Sequence, residues 1–339
     1  MPSTIAIASY LEPEHVERIR AEFPDVHVSY DPSLLAPPRF AADHTGRADF
    51  RRTTEQEARF RALLAEADVH YDFDRALAPH LPTIAPRLKW IQATSSGIGP
   101  FVQKAGLDTT DIVITNAAGI HAVPLAEHTL LSLLYFVKDV PARLGDQRAR
   151  VWERFSGREL RGMHVAVVGL GAVGREIARL CRAVGLHVVG VRRTPVDDPE
   201  ALHVDEAITP DALHEVLARV DAVVLICPHT PETEGMMGAA EFARMRRGSL
   251  LVNVGRGALV DEDALIAALR SGHLGGAALD VAAVEPLPAD SPLWDLPNVL
   301  ITAHSASTVD RENERLTDLF CENLRRYLAG EPLINVLRL

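Results

Sequence analysis

The sequence predicts an α/β protein of two domains, each a doubly wound parallel sheet flanked by helices. Three observations predict it. Short apolar runs bounded by turn residues alternate with segments of helical spacing, the pattern of parallel strands joined by crossover helices. The length of 339 residues suits two domains of roughly 150 residues each. Residues 165–174, VAVVGLGAVG, read as an apolar strand running into Gly169-x-Gly171-x-x-Gly174 and straight into a helix.

Taken in order, strands are expected at residues 4–9, 26–30, 67–73, 88–93 and 111–115, with helices at 13–23, 55–66 and 99–104. Residues 34–54 are rich in Pro, Arg, Asp and His without periodicity, and are expected to form a long loop of the kind that often carries function. Tyr71 and Asp72 end a strand and are expected to shape a pocket. A helix at 124–139 is apolar on nearly all sides and is expected to be buried. Six further strands follow at 164–168, 187–191, 221–226, 249–254, 276–281 and 298–302, with helices such as 210–219 and 262–270 between them. An amphipathic helix at 309–328 and a tail at 333–339 are expected to rejoin the first half. The expected domains are residues 1–119 with 306–339, and residues 120–305.

Composition excludes several classes of function. With 47% hydrophobic and 24% charged residues, each half has the material for a globular core. The net charge of -11 gives no footprint for nucleic acid or an anionic membrane, and no run reaches the ~20 apolar residues of a membrane span. Cys181, Cys227 and Cys321 are scattered without metal-ligand spacing, which fits reduced, mostly buried thiols in a cytoplasmic protein without a metal. The first residues, MPSTIAIASYLEPEH, lack a basic region and a long apolar run, and read as a first strand, not a signal peptide.

Each glycine of the 165–174 stretch has a physical task. Gly169 permits the tight turn, Gly171 lets a pyrophosphate approach the backbone, and Gly174 lets the helix pack on the strand. The diphosphate would rest on the unsatisfied N–H groups at the helix start. An acidic residue that would bond a ribose 2′-hydroxyl is expected at the end of the next strand; the chain instead reads Arg192-Arg193-Thr194. Two guanidiniums and a hydroxyl attract a 2′-phosphate, so NADP(H) is favoured over NAD(H). Three later strand ends carry Arg256, Asp280 with Glu285 close behind, and His304. A guanidinium that grips a carboxylate, and an imidazole held by a carboxylate, suit hydride transfer at a carbon next to a carboxylate.

Several motifs in order give the whole chain a resemblance to the D-2-hydroxyacid dehydrogenase family (D-isomer-specific, NAD(P)-dependent), including glyoxylate and hydroxypyruvate reductases. They are the turn at 95–97, GIHAVPLAEHTL, VVGLGAVG, CPHTPET, VNVGRG, ALDVAAVEPLP and TAHSA. The resemblance implies a Rossmann domain that binds NAD(P), a flavodoxin-like substrate domain, and a cleft between them. It implies Arg256 as substrate clamp, Glu285 as partner of the histidine and His304 as acid/base. Ser96 and Gly97 would offer backbone N–H groups to the substrate carboxylate. Asp280 resembles the contact to the nicotinamide carboxamide, and Ala172, Val173, Cys227, Pro228, Thr233 and Val254 would complete the cofactor site. The family commonly has Pro before the catalytic histidine and Gly soon after; here the stretch reads Ala303-His304-Ser305-Ala306-Ser307, so the turn is expected to differ. His121 and His128 are expected to be structural, His44 and His229 to be loop residues, and Trp152 to line the site or an interface. The implied partner is a small 2-oxo or 2-hydroxy acid, and a homodimer is expected by analogy. Two other readings share the fold: a non-catalytic NAD(H)-sensing corepressor-like adaptor, and a phosphite- or formate-type dehydrogenase. Glu285 weighs against formate, where resembling enzymes pair the histidine with glutamine.

Overall fold

A computed structural model describes residues 3–338. The elements run β1 (Thr4–Ile7), α1 (Pro13–Glu22), β2 (His27–Ser29), α2 (Thr54–Ala65), β3 (Val69–Tyr71), α3 (Leu81–Ile84), β4 (Trp90–Gln92), α4 (Gly99–Lys104) and β5 (Val113–Thr115). Then come α5 (Ala122–Val137), α6 (Val140–Ala149), β6 (His164–Val168), α7 (Ala172–Ala183), β7 (His187–Val191), β8 (Glu206–Ile208), α8 (Leu213–Leu217) and β9 (Ala222–Leu225). The chain closes with α9 (Ala239–Arg244), β10 (Ser249–Asn253), α10 (Glu262–Arg270), β11 (Leu274–Leu279), β12 (Val299–Ile301) and α11 (Glu312–Ala329). It divides into two compact units, residues 1–121 with 308–339, and residues 122–307.

Unit 1 holds a five-stranded parallel sheet in the order β2-β1-β3-β4-β5. Alternation along its short strands sends successive side chains to opposite faces, and both faces are covered, as a parallel sheet requires. Ile5, Ile7, Tyr71 and Trp90 pack with Val16 and Ile19 of α1 and with Phe320 and Leu324 of α11. Ala6 and Ile91 pack on the other face with Phe60 and Leu64 of α2 and Val102 of α4. The tail returns to this unit, where the Leu337 N–H donates to Ile114 O at 2.8 Å and Val336 bridges Thr115. Residues 35–53 form no regular element. Their end is fixed by a capping box at α2, where Thr53 accepts from the Gln56 N–H and Gln56 accepts from the Thr53 N–H.

Unit 2 holds a seven-stranded parallel sheet in the order β12-β11-β10-β9-β6-β7-β8. The seventh strand, β8, adds to the expected six. Its three residues are half-exposed and pair only with β7 at the sheet edge, so it gives no apolar run to read. Three corrections follow. Helix α5 buries Leu125, Ala126, Leu133 and Val137 on one face, but Leu131 on the other is 56% exposed, so it is not buried all round. The expected helix over 210–219 is a 3₁₀ turn, Pro210–Ala212, followed by the five-residue α8. Helices α3, α6 and α9 were not anticipated. Among the described residues, no helix is long and apolar enough to cross a membrane.

Candidate active site

Because every strand of unit 2 is parallel, all its carboxyl ends lie along one edge, where doubly wound sheets bind ligands. The sheet order reverses between β6 and β9, and the glycine turn stands there. Gly169 has φ +107, and a Cβ on it would lie 2.7 Å from Cys227 N. A Cβ on Gly174 would lie 1.8 Å from Gly169 O, so only glycine lets α7 start this close to β6. Nothing of the protein lies within 4 Å of a Cβ built on Gly171. Gly171 caps α7 with no side-chain hydrogen bond, which leaves the first N–H groups of the helix, Ala172 and Val173 among them, without a capping side chain. An open glycine before uncapped N–H groups fits a dinucleotide diphosphate.

The neighbouring strand ends carry the other expected groups. Arg192, Arg193 and Thr194 follow β7; Arg193 and Thr194 are exposed and Arg192 is half-buried, and among the described residues neither arginine is in an ion pair. Cys227 and Pro228 follow β9. The Cys227 thiol is buried, sits 3.7 Å from Met236 Sδ, and is shifted upward in pKa by that burial. Thr233 closes the turn by donating to Pro228 O at 2.8 Å and accepting from the Thr230 N–H at 2.8 Å.

After β10 the chain turns through Val254 and Gly255 to Arg256, an exposed side chain whose Nη1 donates to Gly255 O at 2.7 Å. Its other guanidinium N–H groups make no ion pair among the described residues. The turn is braced by the buried Asn253, whose Nδ2 donates to Arg256 O at 2.9 Å and whose Oδ1 accepts from the Gly255 N–H at 3.1 Å. A Cβ on Gly257 would lie 1.9 Å from Ala282 O, so the loops after β10 and β11 run in contact.

Asp280, at the end of β11, is buried, and its Oδ1 accepts from Thr302 Oγ1 at 2.7 Å and from the Ser305 and Ala306 N–H groups at 2.9 Å each. Its backbone oxygen accepts from the His304 N–H at 2.6 Å. This carboxylate therefore shapes the histidine turn. That turn is the unusual one: Ala303 has φ +45 and His304 φ +53, a left-handed pair without glycine. Such residues cost of order 1 kcal/mol each, and the Asp280 bonds hold them. His304 Nδ1 lies 2.8 Å from Glu285 Oε2, and both side chains are substantially exposed. Glu285 Oε1 in turn accepts from the Ala282 N–H at 3.2 Å.

Asn253 and Thr302 were missed from sequence; the available signal was a polar residue at the end of an apolar strand. Ser96 and Gly97 stand in unit 1, in the turn between β4 and α4, both exposed. His128 lies on α5 with Nε2 buried and unpartnered; burial lowers its pKa, against the nearby Asp280 charge. His229 lies 3.6 Å from Glu234 in the loop after β9, and Trp152 is exposed between α6 and β6. Among the described residues, no group of three or more His, Cys, Asp and Glu side chains has the arrangement to hold a metal ion.

The sequence profile described as "D-isomer specific 2-hydroxyacid dehydrogenase, NAD binding domain" matches residues 130–306, more than half of the chain. The D-3-phosphoglycerate dehydrogenase of Mycobacterium leprae is 37% identical over 250 residues, covering 73% of this chain and 46% of its own length. The chain thus spans about half the length of the curated phosphoglycerate dehydrogenases it matches. A D-isomer specific 2-hydroxyacid dehydrogenase family protein from Aeromonas salmonicida superposes with a TM-score of 0.79 at 30% identity, over 100% of this chain and 99% of that one. An NADPH-dependent glyoxylate/hydroxypyruvate reductase from Sinorhizobium meliloti, solved with NADP and sulfate, gives 0.74 at 27% identity, over 99% and 98%.

Proposed function

The chain belongs to the D-isomer specific 2-hydroxyacid dehydrogenase family, and on that premise we propose that it interconverts a 2-oxo acid and its D-2-hydroxy acid, with NADP(H) preferred to NAD(H). The observation that carries the reading is the His304–Glu285 pair at 2.8 Å, on the strand edge that also bears Arg256 and the uncapped start of α7. When bound, the nicotinamide supplies or accepts the hydride. The Glu285 carboxylate accepts from Nδ1–H of His304, which fixes the tautomer and leaves Nε2 to hold or take the hydroxyl proton. Arg256 meets the substrate carboxylate and the oxygen at C2, where negative charge builds during reduction. Arg192 and Arg193 favour a 2′-phosphate because, among the described residues, neither makes a close ion pair, although Glu232 lies within reach of the Arg193 charge.

The test follows nicotinamide absorbance with NADPH and NADH against 2-oxo acids of increasing size. Oxidation of NADPH in preference to NADH is expected, and no oxidation of either with any acid overturns the reading. Arg256→Ala and His304→Ala should each reduce turnover by about 100-fold or more while cofactor binding persists. Wild-type turnover in either variant would remove that residue from the mechanism.

A further inference from the structure

The turn that presents Glu285 has little of its own to hold it. Residues 283–286 are exposed, Val284 to 61%. Among the described residues, residues 282–287 take part in no backbone–backbone hydrogen bond. The Ala282 N–H donates to Glu285 Oε1 at 3.2 Å, a bond inside the turn. The Ala283 N–H donates to Glu262 Oε2 at 3.1 Å. Among the described residues, that is the single hydrogen bond tying this stretch of backbone to another element. An exposed ion pair is loose by default, because each partner gives up rotamer freedom to keep one geometry. Glu285 nevertheless meets His304 Nδ1 at 2.8 Å, so its backbone is fixed from elsewhere.

Glu262 stands on a rigid base. It opens α10, which buries Leu265, Ile266 and Leu269. Asp261 before it caps the helix by accepting from the Ala264 N–H at 3.1 Å, and its own N–H donates to Met237 O at 3.0 Å. The Glu262 side chain is half-buried. The same segment is pressed against the turn at a second point, where Gly257 passes so close that a Cβ would lie 1.9 Å from Ala282 O. Residues 256–262 therefore carry the Arg256 guanidinium at one end and grip the turn that bears Glu285 at the other. A group that holds a reacting pair in register contributes to rate without touching substrate. We propose that Glu262 is a positioning residue for proton transfer: by holding Ala283 it keeps Glu285 on Nδ1 of His304. The role in turnover rests on the dehydrogenase reading above. The competing role is helix stabilisation alone, since a carboxylate in the first turn also suits the positive end of the α10 dipole.

The experiment compares Glu262→Ala, which removes the acceptor, with Glu262→Gln, which keeps an acceptor and removes the charge. Turnover is followed with NADPH and the 2-oxo acid that the wild type reduces fastest. Glu262→Ala should lower kcat by about tenfold with KM for the acid changed by less than about twofold, because Asn253 still braces Arg256. Glu262→Gln should stay within about twofold of the wild type. In a His304→Ala background, adding Glu262→Ala should cost less than about twofold more, because the two residues act in one chain. A tenfold fall in that background, a Gln variant as impaired as the Ala variant, or an unchanged kcat in Glu262→Ala overturns the proposal. A second measurement does not depend on turnover. Ring 15N shifts of the neutral His304, assigned by difference from His304→Ala, report which nitrogen carries the proton. The Nδ1–H form should dominate in the wild type and Glu262→Gln, and give way to Nε2–H in Glu262→Ala. The same tautomer in all three proteins overturns the proposal. If the wild type reduces no acid, the dehydrogenase reading fails separately, and the tautomer measurement alone decides whether Glu262 holds the pair.

Discussion

His70 shows how one position can set a response to acid. It sits in the middle of β3 on the face covered by α2, fully buried, with Nε2 3.1 Å from Leu64 O and Nδ1 without a partner. Burial, only partly offset by the Leu64 bond, lowers its pKa from 6.5 to about 4. Between those values the unfolded chain binds the proton and the folded chain does not. Stability is therefore unaffected above 6.5 and falls as pH drops from 6.5 toward 4, by up to about 3 kcal/mol for this group. His70→Gln keeps an N–H in reach of Leu64 O and removes the titration. Its urea-unfolding free energy should fall less than the wild type's over that interval; parallel pH profiles for the two proteins would exclude His70 as the source.

At the scale of the element, the turn from β6 into α7 separates two uses of glycine. Gly174→Ala drives a methyl to 1.8 Å from Gly169 O and must displace the helix, so its melting temperature should fall, consistent with an overpacking cost of roughly 1–3 kcal/mol. Gly171→Ala meets no protein atom within 4 Å and keeps an ordinary φ of -72, so the melting temperature should hold while NADPH affinity falls. Melting curves and fluorescence titration of NADPH read the two effects apart; equal losses of stability would refute the distinction. This turn was legible in the sequence because strand, glycine spacing and helix are contiguous. So were β6, β7 and most other strands, whose apolar runs are bounded by turn residues. What was not legible depends on distant partners. Nothing near Ala303 and His304 announces a left-handed pair, since the Asp280 bonds that hold it come from another strand. The proline that the family commonly has before the histidine could not adopt φ +45 at position 303. Edge strand β8 lacked apolar residues to read, and the His121–Glu312 bond joins residues 191 positions apart.

Across the whole molecule, the chain enters unit 2 after residue 121 and returns to unit 1 at residue 308, so unit 1 is completed by its last helix. The apolar clusters respect that division. Those of unit 1 draw on residues up to 120 and from 316 onward, and those of unit 2 on residues 125 to 306. Phe320 of α11 is the closing piece: it stacks on Trp90 at 5.5 Å and meets Tyr71 edge-on at 5.1 Å. Removing a buried phenyl ring costs about 3–5 kcal/mol, so Phe320→Ala should weaken the β1–β3–β4 core although the substitution lies more than 200 residues away in sequence. Hydrogen exchange localises the loss. Amides of β1, β3 and β4 should exchange roughly a hundredfold faster or more, while those of β6, β9 and β10 keep their rates. Equal acceleration in both sheets would mean that the two cores unfold as one cooperative body, and that the residue-level separation of their clusters does not set their energetics.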